Sequence, residues 1–207
     1  MRKVVFQMMS TLNGRLDDPF GWVTDLSDDL YEAIDRLYET FDTVLVGRTT
    51  YREMATYWPT AASDAPDSGV HNRMATRMNT YRKLVISHDD RDLDPAWDNS
   101  SLVKVDSDDA LVKYIARLKE EPGKDIHLSG GARLAQTVIR HGLVDEYHFF
   151  VHPVVSAGKA WFEQIADDRR MTLIDATPYE CGVVGLSYRP NDMSSTTRIE
   201  HFSELLV

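Results

Sequence analysis

Apolar and polar positions along this 207-residue chain fall into two alternating rhythms. Short β-branched runs have the length and composition of buried strands: Lys3–Met8 (KVVFQM), Thr43–Val46 (TVLV), Arg82–Ser87 (RKLVIS) and Ser101–Val105 (SLVKV). Between them lie stretches with the period of an amphipathic helix. Ser27 stands as an N-cap before Asp28 and Asp29, and Leu30, Ile34, Leu37 and Phe41 then form one apolar stripe. Asp108–Glu121 reads the same way, with Leu111, Ile115 and Leu118 on one face and Pro122-Gly123 as its stop. A short helix over Tyr51–Thr56 is predicted to end at Tyr57-Trp58-Pro59. Thr60–Val70 then forms a surface loop, and Asn72–Asn79 is weakly helical and basic.

The segment Asp125–Phe162 reads as a short strand, a double-glycine turn, an amphipathic helix and a second strand running into a glycine-containing loop. Arg170–Ala176, Gly182–Tyr188 and Thr196–Phe202 follow as strands. The last two alternate around Arg189-Pro190-Asn191-Asp192, which predicts a terminal hairpin. Cys181 falls in an apolar strand by this reading, as a small core residue. Strands alternating with helices and closing antiparallel predict one α/β domain over residues 1–207. It is a three-layer α/β/α arrangement around a mixed sheet, with a C-terminal antiparallel hairpin.

Charge narrows the choice of partners. Lys and Arg number 23 against 33 Asp and Glu, a net charge of −10, so neither nucleic acid nor an anionic membrane is an expected partner. Any anionic ligand must be held by a local cationic cluster. One cysteine excludes an internal disulfide. The N-terminus shows no signal peptide and no segment nears the roughly 20 apolar residues of a membrane span, so a cytoplasmic protein is expected.

The candidate chemistry sits at strand ends. Ser129-Gly130-Gly131 leads into a helix starting at Ala132 and Arg133, where bare backbone amides meet the positive end of the helix dipole. It matches neither a dinucleotide fingerprint nor a P-loop. Gly47-Arg48-Thr49-Thr50 repeats that logic: a glycine for close approach, an arginine fork, and two hydroxyls near a helix start. Ser87-His88 ends a third strand and adds donors to the same edge, where ligands of α/β proteins bind. His148 and His152 share a strand and stand about 13 Å apart, too far for one ion, so no metal site is expected. Asp28, Asp29, Glu32 and Asp35 line the first helix and leave open which of them, if any, faces inward.

In their order, LNGR at Leu12–Arg15, VGRTTY at Val46–Tyr51, YWP at Tyr57–Pro59 and the run from Ile126 to Phe162 resemble the dihydrofolate reductase-like superfamily. More closely, the chain is similar to the C-terminal reductase domain of the bifunctional riboflavin-biosynthesis deaminase/reductase and to its stand-alone bacterial relatives. The deaminase zinc motif is absent. The resemblance implies an NADPH-dependent oxidoreductase that reduces a small polar heterocycle or a carbonyl or imine, as the 5-amino-6-(5-phosphoribosylamino)uracil reductases do, and a homodimer. It assigns Gly47, Arg48, Thr49, Thr50, Ser87, His88, Ser129, Gly130, Gly131, Ala132 and Arg133 to the cofactor. Ser10 and Trp22 border the substrate, and Asn13, Asp28 and Glu32 are the candidate catalytic groups. The first loop reads T-L-N-G where the family usually has S-L-D-G. A non-catalytic nucleotide-binding protein of the same fold is the alternative.

Overall fold

The computed structural model describes residues 1–23, 26–64, 69–88, 97–158, 162, 165 and 168–191. Eight strands form one sheet in the order β4-β3-β2-β5-β1-β6-β8-β7. They are β1 (Val4–Thr11), β2 (Phe41–Gly47), β3 (Arg82–Ser87), β4 (Ser100–Lys104), β5 (Asp125–Gly130), β6 (Glu146–His152), β7 (Met171–Pro178) and β8 (Val184–Pro190). The first six in spatial order are parallel, and β8 and β7 then run antiparallel. Five helices connect them: α1 (Asp28–Tyr38), α2 (Arg48–Asp64), α3 (Gly69–Thr80), α4 (Asp108–Glu120) and α5 (Ala132–Arg140). No described helix is long and apolar enough to cross a membrane.

The period-2 alternation of side chains along a strand splits the core in two. Val4 and Phe6 of β1, Leu45 of β2 and Leu128 of β5 pack with Leu111, Ile115 and Leu118 of α4 and with Leu134, Val138 and Ile139 of α5. Their neighbours Val5, Val44 and Val46 turn to the other face, against Leu30 and Ile34 of α1 and Met74 and Met78 of α3. Helices therefore cover both faces, and the near-continuous apolar runs of the inner strands follow from that double burial.

Chain direction creates a break in the sheet. From β2 the chain moves outward to β3 and β4; from β5 it turns the other way, past β1, to β6. The carboxyl ends of β2 and β5 thus mark the topological switch point. Beside it the pairing of two neighbouring strands also lapses. β1 pairs with β5 only through Val4–Phe6 and Ile126–Leu128. Beyond that point β1 follows β6 as far as Thr11, and β5 follows β2 as far as Gly130.

Several boundaries differ from the sequence expectation. α2 does not stop at Tyr57-Trp58-Pro59: Pro59 lies inside it, so residues expected in the Thr60–Val70 loop are partly helical in α2 and α3. An internal proline costs about 3 kcal/mol. Packing offsets it, because Ala61, beyond the proline, is fully buried and Asn79 Nδ2 donates to the Trp58 carbonyl at 3.1 Å. Phe41 is not the last residue of the α1 stripe but the first of β2, where it is buried beside Tyr38. The antiparallel hairpin is built from β7 and β8; the expected strand Thr196–Phe202 lies outside the described residues. Cys181 lies in the turn before β8, half-buried, rather than in a strand.

Candidate nucleotide-binding site

A cavity of about 540 Å³ opens at the carboxyl ends of β2, β3 and β5. Gly47, Arg48, Thr49 and Thr50 line it where β2 runs directly into α2. Ser87 and His88 line it at the end of β3, and Gly131, Ala132 and Arg133 at the start of α5. The two glycine junctions foreseen in the sequence therefore meet in space. A Cβ on Gly47 would stand 3.4 Å from the Gly131 nitrogen, and one on Gly131 would stand 2.9 Å from Thr50 Oγ1. Only bare backbone fits at Gly131. Gly130 makes the turn with φ of +96°, a conformation that a Cβ disfavours.

The charge around this cavity is uneven. α1 and α4 each carry two aspartates in their first turn, which offset the positive end of the dipole. α2 and α5 carry none, and Gly131 at the α5 N-cap supplies no side-chain cap. Both helix starts line the cavity with no acid in their first turns, the arrangement that suits a phosphate. Arg48, half-buried, is aimed by a 2.8 Å hydrogen bond from its Nη2 to Ser87 Oγ. Arg133 is exposed at the rim and pairs with no described acid.

The third helix start differs. Ser107 caps α4 by accepting from the Ala110 N–H at 3.2 Å, and Asp108 follows it. Asp108 Oδ2 accepts from Arg140 Nη2 at 2.7 Å and lies 3.3 Å from His141 Nε2. Hydrogen bonds from Arg140 and then His141 hold its carboxyl below the usual carboxylate range. Ile86, Val105 and Leu111 form the apolar wall beside it.

Nine of the eleven residues expected around a cofactor thus line one cavity. Ser129 does not; its hydroxyl donates to Met54 Sδ at 3.5 Å. Gly130 shapes the turn behind Gly131 without lining the cavity. Ser10, Asn13, Trp22, Asp28 and Glu32 all lie away from it. Ser10 is buried near the end of β1. Asn13 ties two loops together: its Oδ1 accepts from Thr11 Oγ1 and the Ser156 N–H, and its Nδ2 donates to the Ser156 carbonyl. Trp22 is 4% exposed, donates from Nε1 to the Asp17 carbonyl at 2.8 Å, and meets His152 edge-on. Asp28 and Glu32 are exposed on α1, and Glu32 pairs with Arg36 at 3.6 Å. Asp29 accepts from the Leu30 and Glu180 N–H groups, and Asp35 is buried between Arg73 and Arg77.

Sequence reasoning missed the α4 side of the cavity, Val105, Ser107, Asp108 and Leu111, as well as Ile86 of β3 and Leu134 and Thr137 of α5. The only available signal was the Ser107-Asp108 helix start, which marks a cap equally well wherever the helix lies.

Known proteins resemble this chain in sequence and share its fold. The description of the RibD C-terminal domain matches residues 2–185. Uncharacterized protein YyaP of Bacillus subtilis (strain 168) is 28% identical over 191 residues, which cover 92% of this chain and 96% of YyaP. Among solved structures, a diaminohydroxyphosphoribosylaminopyrimidine deaminase/5-amino-6-(5-phosphoribosylamino)uracil reductase of Thermotoga maritima superposes with a TM-score of 0.61. It is 17% identical, over 92% of this chain and 57% of that one. A dihydrofolate reductase of Enterococcus faecalis, solved with NADP(H), gives a TM-score of 0.59 at 13% identity, over 92% and 97% of the two chains. Since the domain description spans nearly the whole sheet and both glycine junctions, the chain belongs to the RibD C-terminal domain family.

Proposed function

We propose that this protein is an NADPH-dependent reductase of the riboflavin-biosynthesis type, which transfers hydride to a C=N or C=O carbon of a small polar heterocycle. One observation carries the reading: the N-termini of α2 and α5, neither with an acid in its first turn, converge with Arg48 and Arg133 on a single cavity at the topological switch point. A pyrophosphate fits that donor set. Arg48, fixed by Ser87, suits a 2′-phosphate through its bidentate fork.

Bound NADPH supplies the hydride; the protein supplies binding, orientation and electrostatics. The amides of α2 and α5 and the guanidinium groups of Arg48 and Arg133 hold the anionic centre. The parting of β1 from β5 beyond Phe6 and Leu128 gives the reacting end an opening beside the switch point. Ser10 lies on the half of β1 beyond that parting. The same reading includes a cytoplasmic location and a homodimer. The exposed Leu173 and Ile174 of edge strand β7, each 51% accessible, support the second of these.

Asp28 and Glu32 face solvent, which favours as second reading a protein that binds the nucleotide without turnover. Two measurements separate these possibilities. Saturating NADPH at 100-fold its Kd raises stability by about 2.7 kcal/mol for any binder. Steady NADPH oxidation with a ribosylaminopyrimidine or pteridine-like substrate then distinguishes the reductase from the binder. Absence of a thermal shift with NADPH overturns both.

A further inference from the structure

The cavity has two chemically distinct ends. One is cationic, built from the starts of α2 and α5 with Arg48 and Arg133. The other is apolar, formed by Ile86, Val105 and Leu111, with Asp108 lining it at the start of α4. Phosphates belong at the first. At the second, Ser107 occupies a helix amide and two aspartates offset the dipole, so an anion has no place there. A flat, neutral ring does, provided that it brings a hydrogen-bond donor to the carboxylate.

Asp108 is held for such a contact. Arg140 and His141 both engage Oδ2, which fixes the carboxylate orientation and leaves acceptor capacity on the group. The two ends lie on either side of β3, and the β1–β5 opening lies beyond the cationic end, since the sheet runs β4-β3-β2-β5-β1. A dinucleotide gripped by its pyrophosphate between α2 and α5 would then point one base to Asp108 and the other to the opening.

We propose that Asp108 reads the exocyclic amine of the adenine ring, so that the site distinguishes amino-purine from oxo-purine dinucleotides. The inference rests on the cofactor reading above and adds the residue that selects the base. An oxo-purine would set a carbonyl oxygen against the carboxylate, leaving both acceptors without a donor.

Fluorescence titration with NADPH and with its hypoxanthine analogue tests this in the full chain. The wild type is expected to bind NADPH at least about tenfold more tightly than the analogue, the equivalent of about 1.4 kcal/mol. In Asp108→Ala that ratio falls to near one, through loss of NADPH affinity. Asp108→Asn gives its one oxygen to Arg140 and His141 and turns its amide N–H to the base, so the preference shifts toward the hypoxanthine analogue, which a purely structural role for the ion pair does not explain. Equal weakening of both nucleotides in Asp108→Ala, or equal wild-type affinities, overturns the assignment while leaving the cofactor reading intact. Failure of the wild type to bind either nucleotide overturns both.

Discussion

Arg48 joins two strand ends in one side chain: it begins α2 after β2, and its Nη2 donates to Ser87 at the end of β3. That hydrogen bond orients the guanidinium before any ligand arrives, so its loss affects geometry as well as charge. Arg48→Ala is expected to weaken NADPH by about 1.5–3 kcal/mol and NADH much less, the magnitude of one lost charged hydrogen bond. Titration of both nucleotides checks this, and equal losses exclude a 2′-phosphate contact. His127 makes a different kind of prediction. It is 2% exposed, stacked on Phe41 at 5.2 Å and edge-on to Tyr38. Burial pushes its imidazole down to about 4. An unfolded histidine titrates near 6.5, so between those values the unfolded chain takes up a proton that the native one refuses. His127 is therefore without effect on stability above pH 6.5, and as pH falls toward 4 it removes about 1.4 kcal/mol per unit. Urea melts of His127→Leu should show a shallower acid decline by about that slope. An unchanged slope means that His127 titrates normally in the native state.

At the scale of elements, the site depends on how closely two helix starts approach. Gly131 is the contact point, with space for no Cβ beside Thr50 Oγ1. Gly131→Ala is expected to destabilise the fold by about 1–3 kcal/mol, as overpacking does, and to weaken NADPH. Adding Thr50→Ala removes the clashing oxygen and should restore stability, but not affinity, because Thr50 itself lines the cavity. Thermal melts with and without NADPH separate the two effects; full recovery of affinity would mean that the contact serves packing alone. Some element boundaries could not be read from local pattern. The α1 stripe continues in sequence to Phe41, but the chain leaves the helix at Tyr38, and Phe41 reaches the same apolar layer from β2. Pro59 signals a stop that packing of α2 on α3 overrides.

At the scale of the molecule, a chain of net charge −10 holds a cavity that Arg48 and Arg133 line at one end. The two edges of the sheet also differ. β4 is short and ends in Lys104, a blunted edge, whereas β7 has eight residues and exposes Leu173 and Ile174. Leu173→Lys is expected to convert a dimer into a monomer while leaving the NADPH-induced thermal shift in place. Light scattering after size exclusion measures this. A monomeric wild type, or a dimer indifferent to the substitution, removes β7 as the contact.

The sequence by itself determined the alternation of strands and helices, the double burial of the central sheet, and the two glycine junctions. These depend on periodicity and backbone freedom, which neighbouring residues specify. Only the tertiary structure decided that Gly47 meets Gly131, that β1 parts from β5 after Phe6, and that α4 brings Asp108 to the same cavity. It also placed Asp28 and Glu32 in solvent and committed Asn13 to holding two loops. A helix-capping aspartate and a ligand-reading one carry the same local signal. What separates them is which strand ends lie beside the helix, and strand order is set by packing between residues far apart in the chain.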